Sequence, residues 1–133
     1  MQLPKPRTAQ ELDPSEVFAR LDADQKLWAQ RAVEAQAKAA HAYARLIDIA
    51  SQSDTGQAAR VAGFVAATYN GHAYAFDLFD LRALDIAISD DMLICLDALR
   101  WGKADLYTLV PDGDAKIKRL LSRWNPRKLH QHE

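Results

Sequence analysis

The chain has 133 residues, 49% of them hydrophobic, with 17 basic against 18 acidic side chains and a formal net charge of −1. That length fits one domain able to bury roughly two-thirds of its unfolded surface, and the small Gly and Pro content (5 of each) argues against general disorder. The balanced charge excludes a global pull toward nucleic acid; charges break each apolar run short of the ~18 residues of a membrane span; and the opening MQLPKPR lacks an apolar signal core.

Residues 1–12, with Pro4 and Pro6, read as a flexible leader to a single helical domain over 13–126. Asp13-Pro14-Ser15-Glu16 is a helix start: a capping carboxylate, a proline at the first helical position and Glu three residues after the cap. Asp22-Ala23-Asp24-Gln25 repeats the cap pattern, which predicts a short first helix and a longer second one over about 23–51. Trp28, Ala32, Ala35, Ala39, Ala42, Leu46 and Ile49 follow in alternating 4-3 steps along one Ala-rich face. At 1.5 Å per residue such a helix runs roughly 43 Å, beyond the roughly 36 Å diameter of a domain this size. It therefore bends, or its N-terminal half projects and offers a surface to a partner, including a homodimer through 23–51. Asp54-Thr55-Gly56-Gln57 again supplies a cap, here for a helix carrying Val61, Phe64 and Val65 and closed by the Asn70-Gly71 turn. These N-terminal helices, 13–51, precede a core unit over 54–126.

The densest apolar stretch, Leu78 to Trp101, reads as the centre of the fold. Leu81, Leu84, Ile88, Met92, Cys95 and Leu99 keep one helical face apolar. Asp77 caps its start and Gly102 stops it. Ser89-Asp90-Asp91 is a second cap, so the stretch is one kinked helix or, preferably, a short helix 78–86 followed by a longer one from 90. Leu106 to Val110 has strand-like composition and equally suits a connector or helical turn; paired with residues 72–76 it would make a minor two-stranded sheet. Pro111-Asp112-Gly113-Asp114 turns into a last helix with Ile117, Leu120, Leu121 and Trp124 on one face, ended by Pro126. Residues 127–133 read as a loose tail. The fold class is all-α, a bundle of five or six helices.

The chemistry-bearing residues form no catalytic constellation. His41, His72, His130 and His132 fit no zinc spacing, and no nucleophile elbow or phosphate loop occurs. Neither a metal nor a cofactor is expected, and no enzyme. A single cysteine suits a reducing cytoplasm, and the apolar run around Cys95 makes it a buried, inert thiol. Tyr69, Asn70, His72 and Tyr74 gather round a turn, as a polar loop over the core or as the lining of a pocket. Residues 77–97 hold six Asp against one Arg. Asp80, Asp85, Asp90 and Asp91 are the candidate partner-binding acids; carboxylates of this kind do acid–base work if they converge and otherwise favour helix N-termini. Residues 116–128 carry Lys116, Lys118, Arg119, Arg123, Arg127 and Lys128 with no acid, a candidate phosphate-binding set.

From Leu46 to Pro126 the order of motifs resembles a small uncharacterised family of proteobacterial plasmids and integrative elements. The residues that carry this are Ser53-Asp54-Thr55-Gly56-Gln57, Val61-Ala62-x-Phe64, Phe76-Asp77-Leu78-x-Asp80-Leu81, Asp85, Asp90-Asp91-Met92 and Arg123-Trp124-x-Pro126. The resemblance implies a bacterial mobile-element setting and no reaction. The expected function is a cytoplasmic, non-enzymatic module that binds another protein, for example to inhibit or retune a host machine such as a defence complex. The alternatives are nucleic-acid binding through the basic C-terminal helix and a small enzyme using the Asp cluster.

Overall fold

A computed structural model describes residues 13–129. The expected leader, and His130 and His132 in the tail, lie outside the described residues. The architecture is all-α, as the periodicity indicates: α1 (Pro14–Gln52), α2 (Gly56–Tyr69), a 3-10 helix (Leu78–Ala83), α3 (Ile86–Trp101), a second 3-10 helix (Leu106–Leu109) and α4 (Gly113–Trp124). The expected break near residue 22 is absent. Asp13 caps α1 by accepting from the Ser15 amide, and the helix then runs for 39 residues, about 58 Å. Between Ser15 and Gln52 there is neither Gly nor Pro, and Asp22 pairs with Lys26 at 3.0 Å on the helix surface instead of capping a new one.

The organising element is α1 rather than the 78–101 stretch, because α1 touches α2, α3, α4 and the second 3-10 helix. Ala35, Ala39, Ala42, Leu46 and Ala50 are buried along its seam; the small side chains let α3 approach closely while Leu46, Tyr43 and Ile47 supply the buried volume. α3 packs against α1 through Asp91, Met92, Cys95 and Ala98. Leu99, expected in the core, is instead 40% exposed.

The 78–101 stretch divides after all, one turn earlier than expected. Asp77 caps the 3-10 helix by accepting from the Phe79 amide at 2.9 Å, and Asp85, not Ser89, occupies the cap position of α3. Gly102 ends α3 in the left-handed conformation, φ 64°. Thr55, one residue after the expected Asp54, caps α2. No strand pair joins 72–76 to 106–110: the latter is the second 3-10 helix, and residues 73–75 pair with 127–129. The amide of Ala75 donates to Arg127 O at 3.2 Å and that of Leu129 to Ala73 O at 2.9 Å. The expected loose tail is therefore anchored as far as Leu129.

The ends of α1 and α4 hold one another. Arg123 donates to the carbonyls of Ala50, Ser51 and Ser53, and Trp124 Nε1 donates to Ala50 O at 2.6 Å. The last carbonyls of α1, which a helix leaves unpaired, thus gain donors and a positive charge at the negative end of the dipole. In the interior the Tyr43 hydroxyl contacts Val65 O (3.4 Å) and Thr68 Oγ1 (3.1 Å), and burial pushes its pKa up. Thr68 keeps its own bonds to Phe64 O and Val65 O. Tyr43→Phe should therefore cost only about 1 kcal/mol, read as a lowered urea midpoint with unchanged slope.

Candidate functional site: an apolar groove between α2 and α3

α2, the connector after it, the first 3-10 helix and α3 enclose a groove of about 300 Å³. Its walls include Phe64 from α2, Phe76 from the connector, Leu78 and Leu81 from the 3-10 helix, and Leu96 and Leu99 from α3. Each is placed by its element. Phe64 and Phe76 meet edge to face at 5.4 Å and set the floor. The tight 3-10 turn, pinned at its start by Asp77, turns Leu78 and Phe79 outward, where they stay 70% and 73% exposed. Leu93 and Leu99 are exposed on α3 as well. Large apolar side chains gathered around an open apolar groove are the usual mark of a contact surface.

The candidate acids do not converge. Asp80 faces Arg60 of α2 at 3.5 Å. Asp85 accepts from Gln57 Nε2 at 3.2 Å, while its amide donates to Gln57 Oε1 at 2.7 Å. Asp91 is only 9% exposed and takes two bonds from the exposed Arg45, at 2.9 and 2.8 Å, an ion pair between α3 and α1 with its acid buried and its base at the surface. Asp90 is exposed. Asp97, next to Leu96, is paired with Arg100 at 2.7 Å. Arginine thus offsets much of the acid beside the groove, and the surface is apolar with a mixed rim rather than an acidic face.

The basic set is divided. Arg123 is committed to the end of α1, Lys118 pairs with Asp114 at 2.9 Å, and Arg127 and Lys128 lie in the segment bridged to residues 73–75. Lys116, Arg119 and Arg123 do come together along a separate cleft of about 320 Å³, with Asp48 and Ser51 of α1. The turn cluster splits: Tyr74 lines the groove, Asn70 Oδ1 accepts from the His72 and Ala73 amides, and Tyr69 donates to the carboxylate of Asp114. That bond, with Lys118 beside it, holds the Asp114 carboxyl below its usual range. Cys95 is fully buried, and burial, with Asp91 nearby, pushes its thiol up to about 12. Among the described residues no three His, Cys, Asp or Glu side chains come together as metal ligands, and no helix is long and apolar enough to cross a membrane.

Sequence reading missed Leu78 and Phe79 as surface residues. A helical period assigns Leu78 to the core stretch, and only a 3-10 turn, with three residues per turn, swings it out. The one available signal was the pair of large apolar residues directly after the Asp77 cap.

The model of a family of unknown function (DUF7673) matches residues 40–125, more than half of the chain. The chain belongs to this family. Comparison with curated proteins returns no match, and comparison with solved structures returns none. The DUF7673 match takes in the whole groove and the Arg45–Asp91 pair, and it begins inside α1, after the helix's first 26 residues.

Proposed function

We propose that the protein is a non-enzymatic protein-binding module that docks an amphipathic helix of its partner in the groove between α2 and α3. The observation that carries this reading is the apolar groove, whose lining residue Leu78 is 70% exposed and is followed in the chain by Phe79, 73% exposed. A volume of about 300 Å³ takes one or two large apolar side chains, the anchors that a helix presents at i, i+3 and i+4. Asp77 and Asp90, both exposed, favour a partner helix with basic flanks. The setting we propose is the cytoplasm of a bacterium carrying a mobile element, with a host machine such as a defence complex as the target. Support for that setting is the ordered set of motifs from Leu46 to Pro126.

The test is a tagged capture from bacterial lysate, with and without nuclease, comparing the wild-type chain with Leu78→Ser/Phe79→Ser and with Asp80→Asn/Asp90→Asn. The expected result is a stoichiometric protein that survives nuclease and is lost at least tenfold with the apolar pair. The acidic pair should reduce capture less. Equal capture by wild type and the apolar variant removes the groove from the reading. Capture that disappears with nuclease transfers it to Lys116 and Arg119 and a nucleic-acid partner.

A further inference from the structure

The first five turns of α1 stand apart from the rest of the domain. No residue from Pro14 to Arg31 is buried, and burial begins at Ala32. Yet this arm carries Phe18 (71% exposed), Leu21 (50%) and Trp28 (47%). With Gln25 they continue, at 3-4-3 spacing, the seam that further along packs on α3. α3 ends at Trp101, where the guanidinium of Arg31 lies 5.2 Å from the indole ring, so the seam outruns its own cover.

At the foot of the arm lies a hollow of about 470 Å³, lined by Gln25, Trp28, Ala29, Trp101 and Lys103. Phe18 sits ten residues, about 15 Å, up the same helix face. A two-fold contact requires a patch complementary to itself, and this one holds both an apolar knob and a hollow walled by two indoles with Gln25 and Lys103 at its rim. We infer that the arms of two copies pack antiparallel, with Phe18 of each copy seated in the Trp28–Trp101 hollow of the other and Leu21 opposite Gln25.

The register follows from the seam: a two-fold axis level with residue 23 pairs position 18 with 28 and position 21 with 25. Phe18 and Trp28 of both copies are covered and, being 71% and 47% exposed in the single copy, bring about half to two-thirds of the roughly 150–250 Å² that a whole aromatic side chain can bury. Two arms crossing over about 20 Å with those rings reach about 1,000 Å² in total, the low end of specific interfaces, so the pair should be concentration-dependent. Asp22 and Asp24 flank the axis, and Asp22 is already neutralised by Lys26. The groove between α2 and α3 is not part of this contact.

The experiment is light scattering behind a sizing column on the full chain over a concentration series. The expected result is a mass rising from 14.9 kDa toward twice that value, and a monomer at every concentration for Phe18→Ser/Leu21→Ser. Both positions are exposed in the single copy, and an unchanged helical circular dichroism signal confirms that the variant is folded. A wild-type chain that stays monomeric, or a folded variant that dimerises equally well, overturns the inference. A second readout fixes the direction of packing. Equimolar Leu21→Cys and Gln25→Cys chains, mildly oxidised, should give mainly the mixed disulfide, because Cys95 is buried and does not compete. A predominance of the two symmetric disulfides overturns the antiparallel arrangement. Capture at the groove is read through Leu78 and Phe79, so either reading can fail without the other.

Discussion

Gly113→Ala should destabilise the fold by about 3–4 kcal/mol, the largest effect expected of any one-methyl substitution in the chain. A Cβ at this position would stand 2.0 Å from the carbonyl oxygen of Tyr107 and 3.0 Å from its carbonyl carbon. Both are backbone atoms of the second 3-10 helix, fixed by its own hydrogen bonds, so no side-chain rotation relieves the overlap. α4 would have to move away from that helix, carrying Ile117 and Leu120 out of the core and pulling Arg123 and Trp124 from the end of α1. Gly102→Ala is the internal control. Gly102 has a positive φ of 64° but nothing within 4 Å, so only backbone strain opposes a methyl group there, about 1 kcal/mol. Urea unfolding of the two variants separates them: a large drop in midpoint for Gly113→Ala and a small one for Gly102→Ala. Equal midpoints would show that α4 can shift away from Tyr107 without loss of stability.

Arg45→Met should cost about 3 kcal/mol, and more than Asp91→Asn. The two partners are unequally placed, the Arg45 side chain being 56% exposed and that of Asp91 12%. Removing the carboxylate lets Arg45 turn into water, where its charge is solvated. Removing the guanidinium leaves a carboxylate held between α3 and α1 with no counter-ion, the arrangement that makes broken buried pairs expensive. The double variant Arg45→Met/Asp91→Asn should recover most of the loss. Calorimetric melting of the three chains tests the order; a double variant as unstable as Arg45→Met would place the cost in lost packing of the arginine stem instead.

Local rules carried the reading of the fold where the deciding atoms are near in sequence. The Asp13 and Asp77 caps, the left-handed Gly102, the Asn70-Gly71 turn and the apolar face of α4 are all set by neighbours within four residues. What failed was decided at a distance. Asp91 looked like half of an acidic cap with Asp90, and only Arg45, 46 positions away, makes it a core residue. Arg123 looked like a phosphate ligand because nothing in its own helix shows that the α1 carbonyls end beside it. Asp22 looked like a helix start because a cap pattern carries no information about whether the preceding turn stops. The groove was legible in parts: Phe64 and Leu81 were read on apolar helix faces, but the outward set of Leu78 and Phe79 depends on a 3-10 turn that periodicity does not distinguish from an α-helix.

The clasp between the ends of α1 and α4 also bears on how the chain is made. The donors that close α1 are 73 residues downstream of Ala50. At a synthesis rate of about 5–20 residues per second they emerge about 4–15 s after the carbonyls they serve. During that interval α2 and α3 emerge and can cover the Ala-rich seam, but the carbonyls at the end of α1 wait for α4, the last of the described helices. A ribosome stalled or a message truncated before residue 123 would release a chain with a helix of about 58 Å and no lock on its end. Such fragments should be less stable than the whole domain and more quickly cleaved by added protease, because the end of α1 would have lost the donors that Arg123 and Trp124 supply.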